Sequence, residues 1–345
     1  MTTEKKDALF DHLLNDYQRG FPLVSEPFAE IAKVHKTTVA AVLKMIKSLK
    51  ANGLITRVGP VFRPNTVGVS TLAAMKIPAD LLEVVADLVN QYSEVNHNYE
   101  REHDYNVWFV ATAPDKHHLE STLRDIEEKS GFEVMRLPLL KEFHIDLGFN
   151  LSKGAHKYSS PDRQEPLPQQ PTFQLDEAIQ QQLVAEIQTG LPLVEQPYAE
   201  IATKLGVAEQ DIIKQLQTML NIGIIRRMGV IVRHRELGYR ANAMLVWDFP
   251  DEHVNKMGKI LSTVDCVTLC YQRPRHLPHW PYNLFTMIHG KDRPSVEKRI
   301  AKIVEAFELA DIPKATLFSK RRFKQKGACY SYVQPETNDQ LASNE

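Results

Sequence analysis

Two short stretches of the sequence concentrate the side chains that could bind anions and transfer protons. The first, HNYEREHDYNVWF, begins at His97, and the second, CYQRPRHLPHWPYNLFTMIHG, begins at Cys270. Since alternate side chains of a β-strand share a face, one face of the first stretch carries His97, Tyr99, Arg101 and His103. Arginine binds carboxylates through charge-assisted hydrogen bonds, and histidine exchanges a proton near neutral pH. The first stretch therefore predicts a surface suited to a ligand with several carboxyl groups.

The second stretch repeats the pattern of the first and adds a loop to it. Four residues align in the two stretches: Tyr271 with Tyr99, Arg273 with Arg101, Tyr282 with Tyr105 and Asn283 with Asn106. Between the arginine and the following tyrosine the second stretch is five residues longer, and this part contains Pro274, Pro278 and Pro281. Because proline cannot continue a strand ladder, we expect a stiff loop that presents Arg275, His276, His279 and Trp280.

Two interpretations of these polar faces are open from the residues alone. Tyrosine, arginine and histidine on a strand are typical of a solvated sheet surface. Their recurrence in both stretches, together with the stiff loop, favours a site in which tyrosine and tryptophan rings contact a flat ligand. The basic run SKRRFKQK, which begins at Ser319, is typical of a solvated edge strand and could alternatively collect ligand carboxylates.

The two stretches belong to two diverged copies of one unit, and these copies must position them. GFPLVSEPFAEIA from Gly20 recurs as GLPLVEQPYAEIA from Gly190. The same offset continues through further identities as far as Gly68 and Gly238. Such agreement at a constant offset is the signature of an internal repeat. The proline-rich stretch between the copies, SKGAHKYSSPDRQEPLPQQPTFQ, is typical of an extended linker.

Each copy has the pattern of three helices and a short β segment, followed by a strand–helix–strand–strand–helix–strand unit. This order predicts an α+β fold, a tandem duplication of a winged helix-turn-helix and a ferredoxin-like (βαββαβ) domain. Helices cover only one face of such a sheet, so the other face needs a partner. We expect the second copy to supply it, which makes the chain an intra-chain pseudo-dimer that could assemble into further homo-oligomers.

The predicted domain boundaries follow from the repeat and from composition. The winged helix-turn-helix units occupy residues 1–68 and 175–238, and the ferredoxin-like domains occupy 69–151 and 239–333. Residues 152–174 form the predicted linker, and the short polar stretch 334–345 is expected to be a disordered tail.

Composition excludes several classes of protein. Lysine and arginine number 42 against 43 aspartates and glutamates, which argues against a protein that coats nucleic acid. Three cysteines without a C-x-x-C pair argue against a disulfide framework and against metal binding by Cys266 and Cys270. The sequence has no apolar run of the ~18 residues that a membrane span needs and no signal peptide, so we expect a cytoplasmic protein without a membrane partner.

The two helix-turn-helix units differ in charge. From Gly20 to Gly59 the unit of copy one carries six lysines and arginines, Lys33, Lys36, Lys44, Lys47, Lys50 and Arg57. The corresponding third helix of copy two begins AEQDII, and its acidic groups would face the DNA phosphates. Since a two-fold DNA reader needs two similar reading heads, the sequence argues against DNA binding.

The order of a winged helix-turn-helix and a βαββαβ unit resembles the Lrp/AsnC regulator family. The motifs NYEREHDYNVWF and CYQRPR with WPYNLFTMIHG are more specific, and they resemble the two subunit types of siroheme decarboxylases, here joined in one chain. The resemblance covers nearly the whole sequence apart from the linker and the tail. It implies removal of CO₂ from the C12 and C18 acetate side chains of siroheme. The product, 12,18-didecarboxysiroheme, would lead to heme d1 in denitrifiers or to heme b in an alternative pathway.

The resemblance also implies roles for the candidate residues. Our hypothesis assigns proton donation to His276 or His279, with His103 as the second candidate. Arg101, Arg273 and Arg275 would hold carboxylates, and the macrocycle would be lined by Tyr99, Tyr105, Tyr271, Tyr282 and Trp280. No separate cofactor and no metal ligands are expected, since the siroheme iron enters with the substrate. Two other functions are open: a ligand-sensing transcriptional regulator that binds DNA, and a passive tetrapyrrole carrier.

Overall fold

The computed structural model describes residues 3–145, 174–232, 241–328 and 330 of the 345-residue chain. The predicted tail and all of the predicted linker except Gln174 lie outside these residues. Within the described ranges, no helix is both long and apolar enough to cross a membrane.

Copy one contains the helix-turn-helix unit and the first ferredoxin-like unit. Its elements are α1 (Thr3–Asn15), α2 (Pro27–Val34), α3 (Val39–Ala51), β1 (Ile55–Phe62), β2 (Val69–Met75), α4 (Leu82–Gln91), β3 (Val95–Arg101), β4 (Val107–Ala113), α5 (Lys116–Ser130), β5 (Met135–Pro138) and β6 (Lys141–Ile145). Local signals explain several helix ends. The Thr38 side chain accepts a hydrogen bond from Ala41 N at the start of α3, and Gly131, with φ 74°, ends α5 in the left-handed region.

Copy two repeats this order. Its elements are α6 (Glu177–Ile187), α7 (Pro197–Leu205), α8 (Glu209–Asn221), β7 (Ile225–Val232), β8 (Ala241–Trp247), α9 (Asp251–Leu261), β9 (Val267–Gln272), β10 (Leu284–Gly290), α10 (Arg293–Ala306) and β11 (Lys314–Gln325). Both α2 and α7 begin at a proline, whose fixed φ suits the first helical position. The predicted duplication of a helix-turn-helix unit and a ferredoxin-like unit is confirmed.

The two helix-turn-helix units share one apolar core and one two-stranded sheet. Strand β1 pairs antiparallel with β7, and Gly59 lies opposite Gly229, its own equivalent in copy two. The segments leading into α2 and α7 also cross over, since Phe21 N donates to Met228 O at 3.2 Å and an equivalent bond joins the other pair. The wing strand of each copy is therefore paired with the other copy around a pseudo-two-fold axis.

The ferredoxin-like units form one nine-stranded sheet with the order β5-β2-β4-β3-β11-β8-β10-β9-β6. Strand β11 pairs with β8 of its own copy through its first half and with β3 of copy one through its second half. In copy one, β5 pairs with β2 of the same copy and β6 with β9 of the other. The last strand of each copy thus crosses into the sheet of its neighbour and joins the two units.

Three apolar layers hold this part of the molecule together. Helices α4 and α5 cover the outer face of the copy-one strands, and α9 and α10 cover that of the copy-two strands. The third layer lies between the copies, and we call it the inter-copy layer; its buried members include Trp108, Leu137, Tyr271, Trp280, Phe285 and Leu317. The expectation that the second copy covers the open face of the first sheet is confirmed.

The last strand of each copy departs from the prediction made from local sequence. In copy one the stretch is divided into β5 and β6, since β5 ends at Pro138, which has no N–H for the ladder. In copy two, β11 is continuous over 12 residues and lies inside the sheet between β3 and β8. The prediction that SKRRFKQK is an edge strand is therefore wrong, although side chains of the run such as Lys320 and Arg321 are exposed to solvent. Arg321 of this run pairs with Glu100 at 2.8 Å and helps to join the copies.

Candidate active site

Two equivalent arginines enter the inter-copy layer from the ends of β3 and β9. Arg101 Nη1 donates to Leu317 O at 3.1 Å, and Arg273 Nη1 donates to Leu137 O. Each guanidinium thus bonds to the last strand of the other copy. The buried Nε atoms of both have no hydrogen-bond partner among the described residues. Two buried cations with unused donors are suited to bind anions.

Burial controls the protonation of these arginines, and tyrosine rings lie beside them. Burial lowers the pKa of Arg101 to about 10, against the opposing influence of the Tyr271 and Tyr99 hydroxyls, and burial also lowers the pKa of Arg273. Arg101 Cζ lies 5.9 Å from the ring centre of Tyr99, and Arg273 Cζ lies 4.6 Å from that of Tyr271. With a pKa of about 10, Arg101 stays cationic at neutral pH. Four of the predicted binding residues thus form two equivalent arginine–tyrosine pairs.

The aligned asparagines hold the hairpins in place. Asn106 exchanges hydrogen bonds with the backbone N and O of Ile77, at 3.0 and 2.8 Å. Asn283 makes the same pair of bonds with Phe249, at 3.1 and 2.8 Å. The recurrence of Asn in both stretches therefore reflects the folding of the hairpins.

His103 lies in the short turn between β3 and β4. Its Nδ1 accepts a hydrogen bond from Tyr105 N at 3.0 Å, so the neutral ring carries its proton on Nε2. Burial lowers the pKa of His103, and the charge of Asp104 opposes this only in part. The ring stacks on Tyr105 and meets the Trp280 ring edge-on at 5.4 Å. At neutral pH the turn therefore holds a neutral imidazole against the loop of the other copy.

The loop between β9 and β10 folds so that His276 and Trp280 are neighbours. Their backbones exchange two hydrogen bonds, at 2.8 and 2.7 Å, which close the loop on itself. His276 Nε2 donates to the backbone O of Arg136 in copy one at 2.7 Å. Since a carbonyl only accepts, this bond places a proton on Nε2 and leaves Nδ1 to exchange one with a ligand. The predicted stiff loop thus docks on the other copy.

Arg275 is bonded on all sides within copy two. Its guanidinium donates to Asp248 at 2.8 Å and to Asp251, and its Nε donates to Pro281 O at 2.7 Å. A further bond reaches Phe249 O. This arginine differs from Arg101 and Arg273 because aspartates already neutralise it, and its predicted contact with substrate carboxylates stays a prediction.

The remaining predicted residues fall into two groups. Trp280 has no exposed surface, and Tyr105 and Tyr282 lie against its ring with centroid distances of 5.8 and 4.9 Å. Burial raises the pKa of both tyrosines, so their hydroxyls remain protonated. His279 is exposed near the tip of the loop. The structure therefore packs the His103 ring against Trp280, joins His276 to Trp280 through backbone hydrogen bonds and leaves His279 at the surface.

His97 is a residue of this face to which the sequence assigned no role. Its Nδ1 is buried and has no hydrogen-bond partner among the described residues. Burial, with a smaller contribution from the charge of Arg322, lowers the pKa of His97 to about 4. The aligned residue of copy two is Leu269, which belongs to the inter-copy layer. Strand alternation predicted that His97 lies on the same face as Tyr99 and Arg101. The apolar residue at the equivalent position of copy two, Leu269, could have indicated that this position is buried.

The fold and this site define a class of protein: a duplicated Lrp/AsnC-type chain with ionisable groups built into the layer between its copies. A family model described as the AsnC-like ligand binding domain matches residues 66–144 and 236–324. A second, described as the siroheme decarboxylase NirDL-like HTH domain, matches residues 11–55 and 180–226. Each model thus matches the chain twice, in agreement with the repeat.

Individual relatives narrow this class. The chain is 41% identical over 328 residues to the siroheme decarboxylase NirDL subunit of Paracoccus pantotrophus. The matched residues cover 95% of this chain and 98% of that protein. It is 32% identical over 322 residues to the siroheme decarboxylase of Hydrogenobacter thermophilus, covering 92% and 93%. A crystal structure of siroheme decarboxylase NirDL with an iron-uroporphyrin III analogue has a TM-score of 0.67 at 26% identity, covering 94% and 95%. The chain belongs to the siroheme decarboxylase family.

Proposed function

We propose that this chain removes CO₂ from the C12 and C18 acetate side chains of siroheme and releases 12,18-didecarboxysiroheme for heme d1 or alternative heme b synthesis. The observation that carries the proposal is the pair of buried guanidinium groups, Arg101 and Arg273, with unpartnered Nε atoms. A buried charge without a counter-ion is unfavourable, so a ligand carboxylate would compensate each of them. The related structure with an iron-uroporphyrin III analogue supports a porphyrin with carboxylate arms as that ligand.

The reaction needs a proton at one carbon atom. Loss of CO₂ breaks the bond between the carboxyl carbon and the exocyclic CH₂, and the electron pair stays on that CH₂ carbon. Delivery of one proton then converts it to a methyl group. We assign this delivery to Nδ1 of His276, because its Nε2 is engaged by Arg136 O. A positioned acid of this kind contributes typically ~10²–10⁴-fold to the rate.

His103 has a complementary part in the proposal. With Nδ1 engaged by Tyr105 N and its pKa lowered by burial, it is a neutral ring that offers Nε2–H as a hydrogen-bond donor. Such a donor can orient the reacting carboxylate or the nearby ring edge. The aromatic walls around Trp280 would exclude water from the carboxylate, which destabilises its charge before reaction.

The proposal requires no cofactor besides the substrate. Siroheme brings its own iron, and protonation of its macrocycle before CO₂ leaves would supply an electron sink. The residues of this chain then have to bind the siroheme, orient its reacting carboxylate, exclude water from it and deliver a proton to the CH₂ carbon.

A DNA-binding regulator is the alternative function, and two observations weigh against it. The wing strands β1 and β7 are paired with each other. In copy two, the exposed Lys204 pairs with Glu186 at 3.1 Å and the exposed Lys214 with Asp211 at 3.9 Å. The helix-turn-helix unit of copy one has more lysines and fewer acidic residues. The two reading heads are therefore electrostatically unequal, which does not suit a two-fold operator.

Anaerobic incubation with siroheme under reducing conditions tests the proposal. Mass spectrometry should detect products that have lost one and then two CO₂, and His103→Ala should lose most of this activity. A gel shift with duplex DNA at low salt, run on the same preparation, should detect no specific complex. Unchanged siroheme would contradict the proposal; tight binding without mass change would support the passive carrier instead.

A further inference from the structure

Strand β5 of copy one carries the carbonyl that holds the proline loop. It lies at the end of the strand order of the nine-stranded sheet and pairs with β2, so its other edge has no strand partner among the described residues. At this edge Arg136 O accepts the hydrogen bond from His276 Nε2, at 2.7 Å. The orientation of the His276 ring therefore depends on how firmly β5 is held in place.

The side chain of Arg136 fastens this strand to helix α5. Its guanidinium donates to both carboxylate oxygens of Glu127 at 2.8 Å and to Glu120 at 3.1 Å. Val134, which precedes β5, takes part through its backbone: its O accepts from Arg136 at 2.8 Å, and its N donates to Glu127 at 2.8 Å. Glu127 thus holds the strand through the backbone of one residue and the side chain of another.

The pair of Glu127 and Arg136 is ionised and rigid. Hydrogen bonds from Arg136 lower the pKa of Glu127 although burial opposes them, and the bonds to Glu127 raise the pKa of Arg136, again against burial. The two side chains are only 27% and 25% exposed. A bidentate bond between guanidinium and carboxylate fixes direction as well as distance. This pair therefore differs from the mobile ion pairs of an exposed helix surface.

Copy two has uncharged residues at the equivalent positions. Comparison of the strand ladders makes Thr316 the equivalent of Arg136, and comparison of the helix starts makes Val304 the equivalent of Glu127. Val304 packs against the apolar core of copy two. A cluster needed only for the stability of the fold would be expected in both copies. It is instead present in the copy whose last strand holds the proline loop.

We infer that Glu127 and Arg136 are positioning residues for His276, which they orient from the outer face of copy one through the Arg136 carbonyl. The consequence for decarboxylation rests on the proposed function, whereas the consequence for the imidazole rests on the hydrogen bonds alone. Because a carbonyl only accepts, it selects the neutral ring with its proton on Nε2 and leaves Nδ1 to a ligand. If β5 is held less firmly, this selection weakens and the ring takes other orientations.

Variants of the full chain separate positioning from stability. Glu127→Gln removes the charge and one acceptor oxygen. Glu127→Val with Arg136→Thr replaces both partners by the copy-two residues, so that this pair leaves no buried charge without its partner. Asp125→Asn is the matched control, since Asp125 lies on the same helix and bonds to Lys129 and Tyr92 instead of to β5, at 2.6 and 2.7 Å.

Steady-state decarboxylation of siroheme measures the effect on the reaction. We expect kcat to fall about 10–100-fold in Glu127→Gln and in the double variant, because misplacement of a reacting group by about 1 Å lowers rates on this scale. KM should change less than about threefold, and kcat of Asp125→Asn should stay within about twofold of the unmodified chain. A double variant with the thermal midpoint and the kcat of the unmodified chain would overturn the inference.

Nitrogen-15 NMR of the histidine-labelled chain reads the protonation of His276 without any substrate. Its signals are identified by their loss in His276→Ala, at a mildly alkaline pH where an ordinary imidazole is neutral. The fraction of rings with the proton on Nδ1 should rise at least about threefold in Glu127→Gln and in the double variant, as one weakened hydrogen bond allows. An unchanged fraction in Glu127→Gln would overturn the inference. A raised fraction in a chain that leaves siroheme unchanged would support it and contradict the proposed function.

Discussion

The two β-hairpins that meet at the inter-copy layer are alike in their strands and different in their connections. Both place a buried arginine beside a tyrosine and fasten the following strand with an asparagine, as in Arg101 with Asn106 and Arg273 with Asn283. Beyond these residues, copy one makes a short turn around His103, and copy two makes the proline loop around His276. The shared residues maintain fold and charge, whereas the residues without an equivalent carry the acid–base groups.

This difference is the result of packing around an approximate symmetry axis. Each hairpin contacts the last strand of the other copy, so a change in one copy alters the packing of residues in both. A longer loop in copy two was compatible with the fold because copy one kept a short turn. Duplication followed by unequal change therefore makes the surfaces of the two hairpins different.

The largest expected effect separates the two histidines of the proline loop. His276→Ala should lower kcat for siroheme decarboxylation by about 10²–10⁴-fold, since it removes the proposed proton donor. His279→Ala is the matched control: its side chain is exposed, and kcat should stay within about twofold of the unmodified chain. The measurement is single-turnover release of CO₂. Equal losses in both variants would mean that the loop moves as a unit and that His276 has no special part.

The second prediction compares His97 with its copy-two equivalent, Leu269. The folded-state pKa of His97 is about 4 against an ordinary 6.5, so the unfolded chain takes up the proton first as pH falls. The stabilisation is complete above pH 6.5 and is lost progressively towards pH 4, by about 3 kcal/mol. His97→Leu should remove this part of the acid sensitivity.

Chemical unfolding at pH 7 and pH 4.5 checks the effect of His97. The variant should lose less free energy of unfolding between the two pH values than the unmodified chain does. An equal loss in both proteins would mean that His97 is not buried as a neutral ring.

The third prediction compares Arg275 with Arg273. Arg275→Lys keeps the charge but loses the guanidinium group, whose several N–H donors bond to Asp248, Asp251 and Pro281 O. We therefore expect the proline loop to be held less firmly in position. We expect kcat to fall about tenfold with KM for siroheme changed less than twofold, and Arg273→Lys to raise KM instead. Steady-state kinetics distinguish these outcomes. A raised KM for Arg275→Lys would favour direct binding of a substrate carboxylate.

The smallest expected effect concerns the exposed side of the His103 turn. Arg293 of copy two holds Glu102 with two hydrogen bonds of 2.9 and 2.8 Å. Since exposed ion pairs contribute little to stability, we expect Arg293→Ala to lower kcat/KM for siroheme decarboxylation by less than about fivefold. Addition of Glu102→Ala should have almost no further effect, because the pair is already broken. A large additional loss would assign Glu102 a role of its own.

Local sequence was sufficient to predict the repeated elements and to name the candidate residues on the two hairpins, whose roles stay predictions. The pattern of each copy predicted the order of helices and strands, and strand alternation placed Tyr99 and Arg101 on one face. Alignment of the copies identified the proline loop as the place where they differ. These features depend on residues close together in the chain or on comparison of the two copies.

The tertiary structure alone decided which partners surround each candidate residue. Nothing near Arg275 in the sequence indicates that its charge is neutralised by Asp248, which precedes α9, and by Asp251, which begins α9. Likewise, nothing near Ser319 indicates that β11 continues into the sheet of copy one. The burial of Trp280 and the exposure of His279 likewise depend on how the copies pack. Periodicity indicates the face on which a side chain lies. Its partners can be more than two hundred positions away, as with Arg101 and Leu317, and only the folded chain brings such residues together.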